Sequence, residues 1–199
     1  MSTSNQQSAT NNQPLKNRRI LLGVSASIAA YKAAPLVRLL VQDGAEVQVI
    51  LTEAAAAFVT PLTLGTLSKK PVLTGFLRDA ASGQWHNHVE LGLWAEAYVI
   101  APASANTLGQ LAQGLCPNLL SAVYLSARCP VFLAPAMDLD MYAHPAVQQN
   151  IQRLRSFGNH VFDSPAGELA SGLSGPGRML EPEQIVAELA KFFELKIMN

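Results

Sequence analysis

Hydrogen-bonding side chains crowd together directly after two short apolar runs of the sequence. Ser25 and Ser27 follow the first run, and Ser104, Asn106 and Thr107 follow the second. At the start of a helix, such groups join free backbone N–H groups that bind anions. The two turns therefore predict a site for an anionic ligand such as a mononucleotide phosphate. A plain serine helix cap is the alternative interpretation of the first turn, which lacks the dinucleotide fingerprint G-x-G-x-x-G.

Three further segments carry side chains that could do chemistry. His88 lies at the end of a polar stretch, and a lone histidine is more often structural or solvated than functional. Asp138 lies in the turn Ala-Pro-Ala-Met-Asp after another apolar run, and it could also simply cap a helix. Residues 167–177 hold four glycines, which is typical of a mobile lid or of an ordinary surface loop.

Alternating apolar runs and helical patterns indicate the elements that hold these residues. Apolar runs predict buried strands at residues 20–24, 47–51, 97–101, 131–134 and 160–162. A helical pattern follows each of the first three strands, and further helices are predicted at residues 60–67, 118–127, 138–157 and 182–193. A polar loop is predicted at residues 78–88. This alternation, without hairpin signals, predicts an α/β fold: a three-layer, doubly wound parallel sheet in a single domain. Ligands of such sheets bind beyond the carboxyl ends of the strands, where the two turns lie.

Composition limits the class of protein. The 199 residues are 49% hydrophobic and 14% charged, with zero net charge, which fits one domain with a substantial core. No lysine or arginine stripe suits nucleic acid, and no signal peptide or membrane span is evident, so we expect a cytoplasmic protein without nucleic-acid or membrane partners. Cys116 and Cys129 show no metal-ligand spacing, so we predict no metal site and interpret both as buried thiols. Residues 1–17 are polar and predict a disordered tail before a folded domain at 18–199.

Five segments, in order, resemble the homo-oligomeric flavin-containing cysteine decarboxylases. Within that family they are most similar to the phosphopantothenoylcysteine decarboxylases, which occur alone or as the N-terminal half of a bifunctional coenzyme A biosynthesis protein. The segments read GVSASIAAYK, HVELGLWA, APASANT, PAMDLDM and ASGLSGPGRM, and the resemblance runs from about residue 19 to residue 193. It implies a flavodoxin-like (Rossmann-like) fold. It also implies FMN at subunit interfaces of a homotrimer or a homododecamer.

The resemblance also implies roles for individual residues. The implied FMN contacts are Ser25, Ser27, Ile28, Thr52, Ser104, Ala105, Asn106, Thr107 and Ala136. The implied catalytic positions are His88, Asp138 and Ser171. The implied substrate contacts are Asp138, Met141, Ala170, Gly172 and Arg178.

The activity implied is FMN-dependent decarboxylation of 4'-phosphopantothenoyl-cysteine to 4'-phosphopantetheine. In this chemistry FMN oxidises the substrate thiol to a thioaldehyde, carbon dioxide leaves as an enethiolate forms, and reduced FMN returns a hydride. Two positions depart from the family pattern. Asp138 stands where the family has an asparagine that contacts the substrate carboxylate, and Ser171 where it has a proton-donating cysteine. Because a hydroxyl is a far poorer acid than a thiol, these changes bear most on the final reduction.

Two alternatives follow from these departures. A peptidyl-cysteine decarboxylase performs the same oxidation on a peptide C-terminus but leaves an enethiol, so it needs no cysteine at residue 171. A non-catalytic flavin-binding partner subunit would tolerate changes at both Asp138 and Ser171, although the retained His88 argues against it.

Overall fold

Five parallel strands form the central sheet of the computed structural model, which describes residues 13–79 and 81–198. In chain order the strands are β1 (Arg19–Val24), β2 (Glu46–Leu51), β3 (Leu77–Asp79), β4 (Gln84–Trp85), β5 (Ala97–Ala103), β6 (Val131–Pro135), β7 (His160–Val161), β8 (Ala166–Glu168) and β9 (Ser174–Pro176). The α-helices are α1 (Ala33–Gln42), α2 (Pro61–Ser68), α3 (His88–Trp94), α4 (Ala105–Gln113), α5 (Leu119–Ser126), α6 (Leu139–Ala143), α7 (Pro145–Ser156) and α8 (Pro182–Met198). Short 3-10 helices lie at Ile28–Lys32 and Glu53–Ala57.

The order of the sheet is β2-β1-β5-β6-β7, with all pairs parallel. The chain therefore winds outward from β1 to β2 and then returns to the other side of β1 to continue through β5. This reversal between β1 and β5 is the topological switch point at which α/β sheets bind their ligands. The predicted doubly wound parallel sheet is confirmed.

Two apolar cores cover the two faces of the sheet. Alternate residues of β1 divide between them: Leu22 belongs to the core that includes Leu36 of α1 and Leu189 of α8. Leu21 belongs to the opposite core, which includes Leu108 of α4. Each such fully buried leucine stabilises the fold by roughly 1.5–3 kcal/mol, so the layers fix the positions of the strand ends.

The predicted loop at residues 78–88 and the predicted long helix at residues 138–157 both differ from the structure. In the first segment, β3 and β4 form an antiparallel hairpin in which Leu77 pairs with Trp85. Strands of two or three residues are too short to show an alternating apolar pattern. In the second, the helix breaks at His144, and α7 begins at Pro145 because proline suits the first turn of a helix and disrupts an interior.

The predicted tail ends earlier than residue 17. Residues 14–17 form turns packed on the domain, and Leu15 is fully buried in the core. The backbone N–H of Leu15 donates to Asp43, and that of Asn17 donates to the carbonyl of Gly44. The prediction missed Leu15, the one aliphatic side chain that anchors this segment. Residues 1–12 of the predicted tail lie outside the described residues.

Candidate active site

Ser25 joins the two predicted turns from inside the protein. Its hydroxyl donates to the carbonyl oxygen of Pro102 at 2.8 Å and accepts from the backbone N–H of Ser104 at 2.9 Å. The side chain is only 1% exposed. Because β1 and β5 are neighbours in the sheet, these bonds set the spacing of the turns that follow them. Ser25 therefore positions the site, and the one proton of its hydroxyl is used within the protein.

Ser27 and Ser104 cap the helices that begin at these turns. The hydroxyl of Ser27 accepts from the N–H of Ala29 at 3.2 Å, and that of Ser104 accepts from the N–H of Thr107 at 3.3 Å. Each cap satisfies one of the N–H groups at its helix start and leaves others directed outward. Two helix starts thus lie side by side at the sheet edge.

A cavity of about 750 Å³ opens at these turns, a size typical of cofactor sites. It is bounded by the turns after β1, β5 and β6 and by a ribbon formed by β8 and β9. The predicted site residues that line it are Ser27, Ile28, Ser104, Ala105, Asn106, Ala136, Asp138, Met141, Ala170, Ser171 and Arg178. The lining residues that sequence analysis did not single out include Tyr31, Lys32, Met137, Glu168 and Leu169.

Five predicted site residues lie outside the lining of this cavity as the described chain forms it. They are Ser25, Thr52, Thr107, Gly172 and His88. The hydroxyl of Thr52 caps the 3-10 helix that follows it, and Thr107 is buried against Ser104.

His88 is the first residue of α3, which Asn87 caps by accepting from the N–H groups of Val89 and Glu90. Its ring lies 5.7 Å from the ring of Trp85. The Nδ1 atom of His88 is buried without a hydrogen-bond partner in the described part of the chain. An unsatisfied buried polar atom costs about 1–3 kcal/mol, so this nitrogen marks a place where an outside group would be stabilising.

The Gly-rich segment predicted as a lid or surface loop is an antiparallel ribbon, with β8 paired to β9. The backbone N–H of Met137 donates to the carbonyl of Gly177 at 3.0 Å. Gly177 has a φ of 133°, and a Cβ atom there would lie 2.5 Å from the carbonyl oxygen of Met137. Only glycine permits this approach, which holds the ribbon against the turn after β6.

Asp138 and Ser171, the two departures from the family pattern, are hydrogen-bonded to each other. The hydroxyl of Ser171 donates to Oδ1 of Asp138 at 3.0 Å. The same Oδ1 accepts from the backbone N–H of Leu139 at 2.7 Å, so Asp138 also caps α6. The pair connects the tip of the ribbon to the turn after β6, and both residues line the cavity.

Lys32 is a buried cation of the cavity wall that sequence analysis did not assign. It is 6% exposed, and its Nζ donates to Glu181 at 2.7 Å and to the carbonyl of Met179 at 3.2 Å. Arg178 donates to the same Oε1 of Glu181 at 3.0 Å. The hydrogen bond from Lys32 lowers the pKa of Glu181 below its ordinary value of 4.5. Two cations thus share one carboxylate, so these three groups together carry one net positive charge. The only feature of the sequence that could have pointed to Lys32 is that this lysine lies in an alanine-rich segment.

The cysteines lie away from the cavity lining. Cys129 is half-buried, and burial raises the pKa of its thiol to about 11. Cys116 is exposed, which corrects the expectation that both thiols are buried. Among the described residues, no three His, Cys, Asp or Glu side chains form a metal-binding group. Nor does any helix in the described ranges have the length and apolar character needed to cross a membrane.

Two curated relatives illustrate the similarity of the sequence to known proteins. The chain is 45% identical over 186 residues to the "Coenzyme A biosynthesis bifunctional protein CoaBC" of Vibrio cholerae, covering 94% of this chain and 46% of the relative. It is 59% identical over 138 residues to a "Cysteine/Cysteine sulfinic acid decarboxylase" of an unknown prokaryotic organism, covering 69% of this chain and 38% of the relative. The chain thus spans less than half the length of these curated relatives.

Solved structures share the whole fold. A PPC decarboxylase variant with a cysteine replaced by serine, complexed with pantothenoylaminoethenethiol, matches with a TM-score of 0.80 and 34% identity, covering 90% of this chain and 100% of that chain. The FMN binding protein AtHal3 matches with a TM-score of 0.77 and 33% identity, covering 90% and 98%. The sequence model of the family described as Flavoprotein matches residues 8–194. This chain belongs to the Flavoprotein family.

Proposed function

We propose that this chain is an FMN-dependent carboxy-lyase that decarboxylates 4'-phosphopantothenoyl-cysteine to 4'-phosphopantetheine. The observation that carries the proposal is the cavity at the switch point, bounded by two helix starts and by the ribbon that bears Ser171. The coenzyme A biosynthesis protein and the PPC decarboxylase variant among its relatives support the same substrate.

The cavity fits FMN in two respects. The helix starts at Ser27 and Ser104 offer N–H groups suited to a phosphate. Ile28, Tyr31 and Met141 line the cavity although they are 60%, 58% and 50% exposed, which provides apolar surface for a flat ring to cover. When bound, FMN supplies the two-electron oxidant for the substrate thiol.

Residues of the chain would orient the substrate. Arg178 uses one of its five N–H donors on Glu181, and the others are suited to a carboxylate or a phosphate of the substrate. Lys32 adds a second positive charge to the same wall of the cavity. The ribbon, held by Gly177 against Met137, places Ser171 beside Asp138 at the cavity.

We also propose a homotrimer, alone or within a homododecamer, with FMN at the subunit interfaces. His88 lies outside the cavity lining, its Nδ1 lacks a partner in the described part of the chain, and Trp85, Val89 and Leu93 around it are exposed. A second copy could cover this surface and bring His88 to a neighbouring cavity. Analytical ultracentrifugation should give the mass of a trimer or dodecamer, and a fully active monomer would contradict this assembly.

A decarboxylase that stops at the enethiol is a second candidate, as in peptidyl-cysteine decarboxylation. One observation favours it: the hydroxyl of Ser171 already donates its proton to Asp138, so this proton is not free for the final reduction. The complex of the cysteine-to-serine PPC decarboxylase variant with an aminoethenethiol agrees with it.

Mass analysis of the product tests both candidates. The FMN-loaded protein is incubated with 4'-phosphopantothenoyl-cysteine; loss of the mass of carbon dioxide indicates the saturated thiol, and loss of the mass of formic acid indicates the enethiol. Unchanged substrate that is demonstrably bound would refute both and favour a non-catalytic flavin-binding subunit.

A further inference from the structure

One oxygen of Asp138 is fully used by the protein, and the other is not. Oδ1 accepts from both Leu139 and Ser171, at 2.7 Å and 3.0 Å. Oδ2 accepts no hydrogen bond from the described residues. Because Asp138 lines the cavity and an ionised carboxylate is only an acceptor, Oδ2 is available to a donor on the ligand.

The charge of Asp138 is also unopposed within the described chain. The two cations of the cavity wall, Lys32 and Arg178, both pair with Glu181. Asp138 is in no ion pair among the described residues. The lining of the cavity therefore holds two cations that share the carboxylate of Glu181, and two carboxylates, of Asp138 and Glu168, that are in no ion pair among the described residues. Of these two, Asp138 is the half-buried one and Glu168 is exposed.

A cysteine substrate has one strong hydrogen-bond donor for a carboxylate, its nitrogen, because its thiol is only a weak donor. Its own carboxylate would be repelled by Asp138 and attracted by Arg178, whereas its nitrogen is a donor. An acylated nitrogen has a single neutral N–H, but a free amino group is a protonated cation with three donors. Either donor makes a charge-assisted hydrogen bond to a carboxylate, but only the ammonium adds a direct attraction between opposite charges. A carboxylate at residue 138 thus favours a free amine over an amide.

We propose that the site also decarboxylates free aminothiol acids such as cysteine, with Asp138 binding the α-ammonium group through Oδ2. This proposal rests on the flavin-dependent decarboxylation proposed above. When bound, FMN would accept a hydride from the carbon that bears the sulfur as the thiol loses its proton, which leaves a thioaldehyde. The bond from the α carbon to the carboxylate then breaks, its electron pair forms the enethiolate, and carbon dioxide leaves. Return of that hydride after decarboxylation would restore the oxidised flavin. Asp138 is a specificity-determining residue in this reaction.

The experiment compares free cysteine with N-acetylcysteine in the FMN-loaded wild type, Asp138→Asn and Asp140→Asn. Asp140 is the matched control because it is an exposed aspartate of α6, the helix that Asp138 caps, and lies outside the cavity lining. Asp138→Asn should lower the ratio of kcat/KM for cysteine to that for N-acetylcysteine by about tenfold or more, the loss of one charged hydrogen bond. Asp140→Asn should leave the ratio unchanged.

Binding of S-methylcysteine and N-acetyl-S-methylcysteine gives a readout without turnover, because neither has a free thiol. Asp138→Asn should weaken the first by about tenfold and leave the second unweakened. Any of three results would overturn the inference. They are an unchanged kcat/KM ratio together with unchanged binding in Asp138→Asn, an equal effect of Asp140→Asn, and turnover of N-acetylcysteine but not of cysteine. If the wild type releases carbon dioxide from none of these thiols nor from 4'-phosphopantothenoyl-cysteine, the proposed function fails, and the binding comparison still decides the role of Asp138.

Discussion

Replacing Glu181 by glutamine should destabilise the protein by removing the partner of a buried cation. Lys32 is 6% exposed and would retain only the carbonyl of Met179 and a neutral amide as acceptors. Breaking a fully buried pair costs about 3–5 kcal/mol and an exposed one about 0–1 kcal/mol. The side chain of Glu181 is 41% exposed, so the loss should lie between these limits, at about 2 kcal/mol. For a chain of this length, that corresponds to a fall in Tm of about 4–8 °C.

Thermal unfolding of Glu181→Gln at a series of pH values tests this magnitude. Since folding lowers the pKa of Glu181, its contribution is fully present above the ordinary value of 4.5 and is lost as the pH falls through the lowered value. The difference from wild type should therefore shrink below pH 4.5. Glu183→Gln, an exposed change in the first turn of α8 two residues after Glu181, is the control. An equal fall in Tm for both variants, or a difference that persists in acid, would refute the role given to this pair.

Three further results are expected. Gly177→Ala should weaken retention of FMN by about tenfold or more in equilibrium dialysis, because its Cβ atom would meet the carbonyl of Met137 and displace the ribbon; retention equal to wild type would contradict this. Cys116 should react with iodoacetamide at pH 8 before Cys129, since Cys116 is exposed and burial raises the pKa of Cys129 to about 11; peptide mapping that finds Cys129 alkylated first would contradict this. Ser171→Cys should shift the product from enethiol to saturated thiol, because a thiol is the better acid; identical product masses from both proteins would show that another group supplies the proton.

Local patterns were sufficient to predict the sheet. The apolar runs at residues 20–24 and 97–101 became β1 and β5, and the polar turns after them became the two helix starts of the cavity. Strands of this kind can be recognised from a few consecutive residues, because a strand covered on both faces must be apolar throughout.

Contacts between distant residues were not predictable in this way. Lys32 and Glu181 are 149 positions apart, and no spacing rule joins them. Nor does the sequence show that the hydroxyl of Ser25 bonds across the sheet to Pro102 and Ser104. The ribbon was missed because its strands are three residues long and depend on the approach of Gly177 to Met137.

Release of labelled carbon dioxide from 4'-phosphopantothenoyl-cysteine tests the central claim most directly. The substrate carries the label in its carboxylate, and the FMN-loaded wild type is compared with Ala105→Trp, which fills the cavity at the start of α4. The wild type should release one labelled carbon dioxide per molecule of product, and the folded variant should retain no FMN and release none. Two results would contradict the assignment of this cavity as the decarboxylation site. One is a wild type that releases no label although flavin and substrate are bound, and the other is equal release by Ala105→Trp.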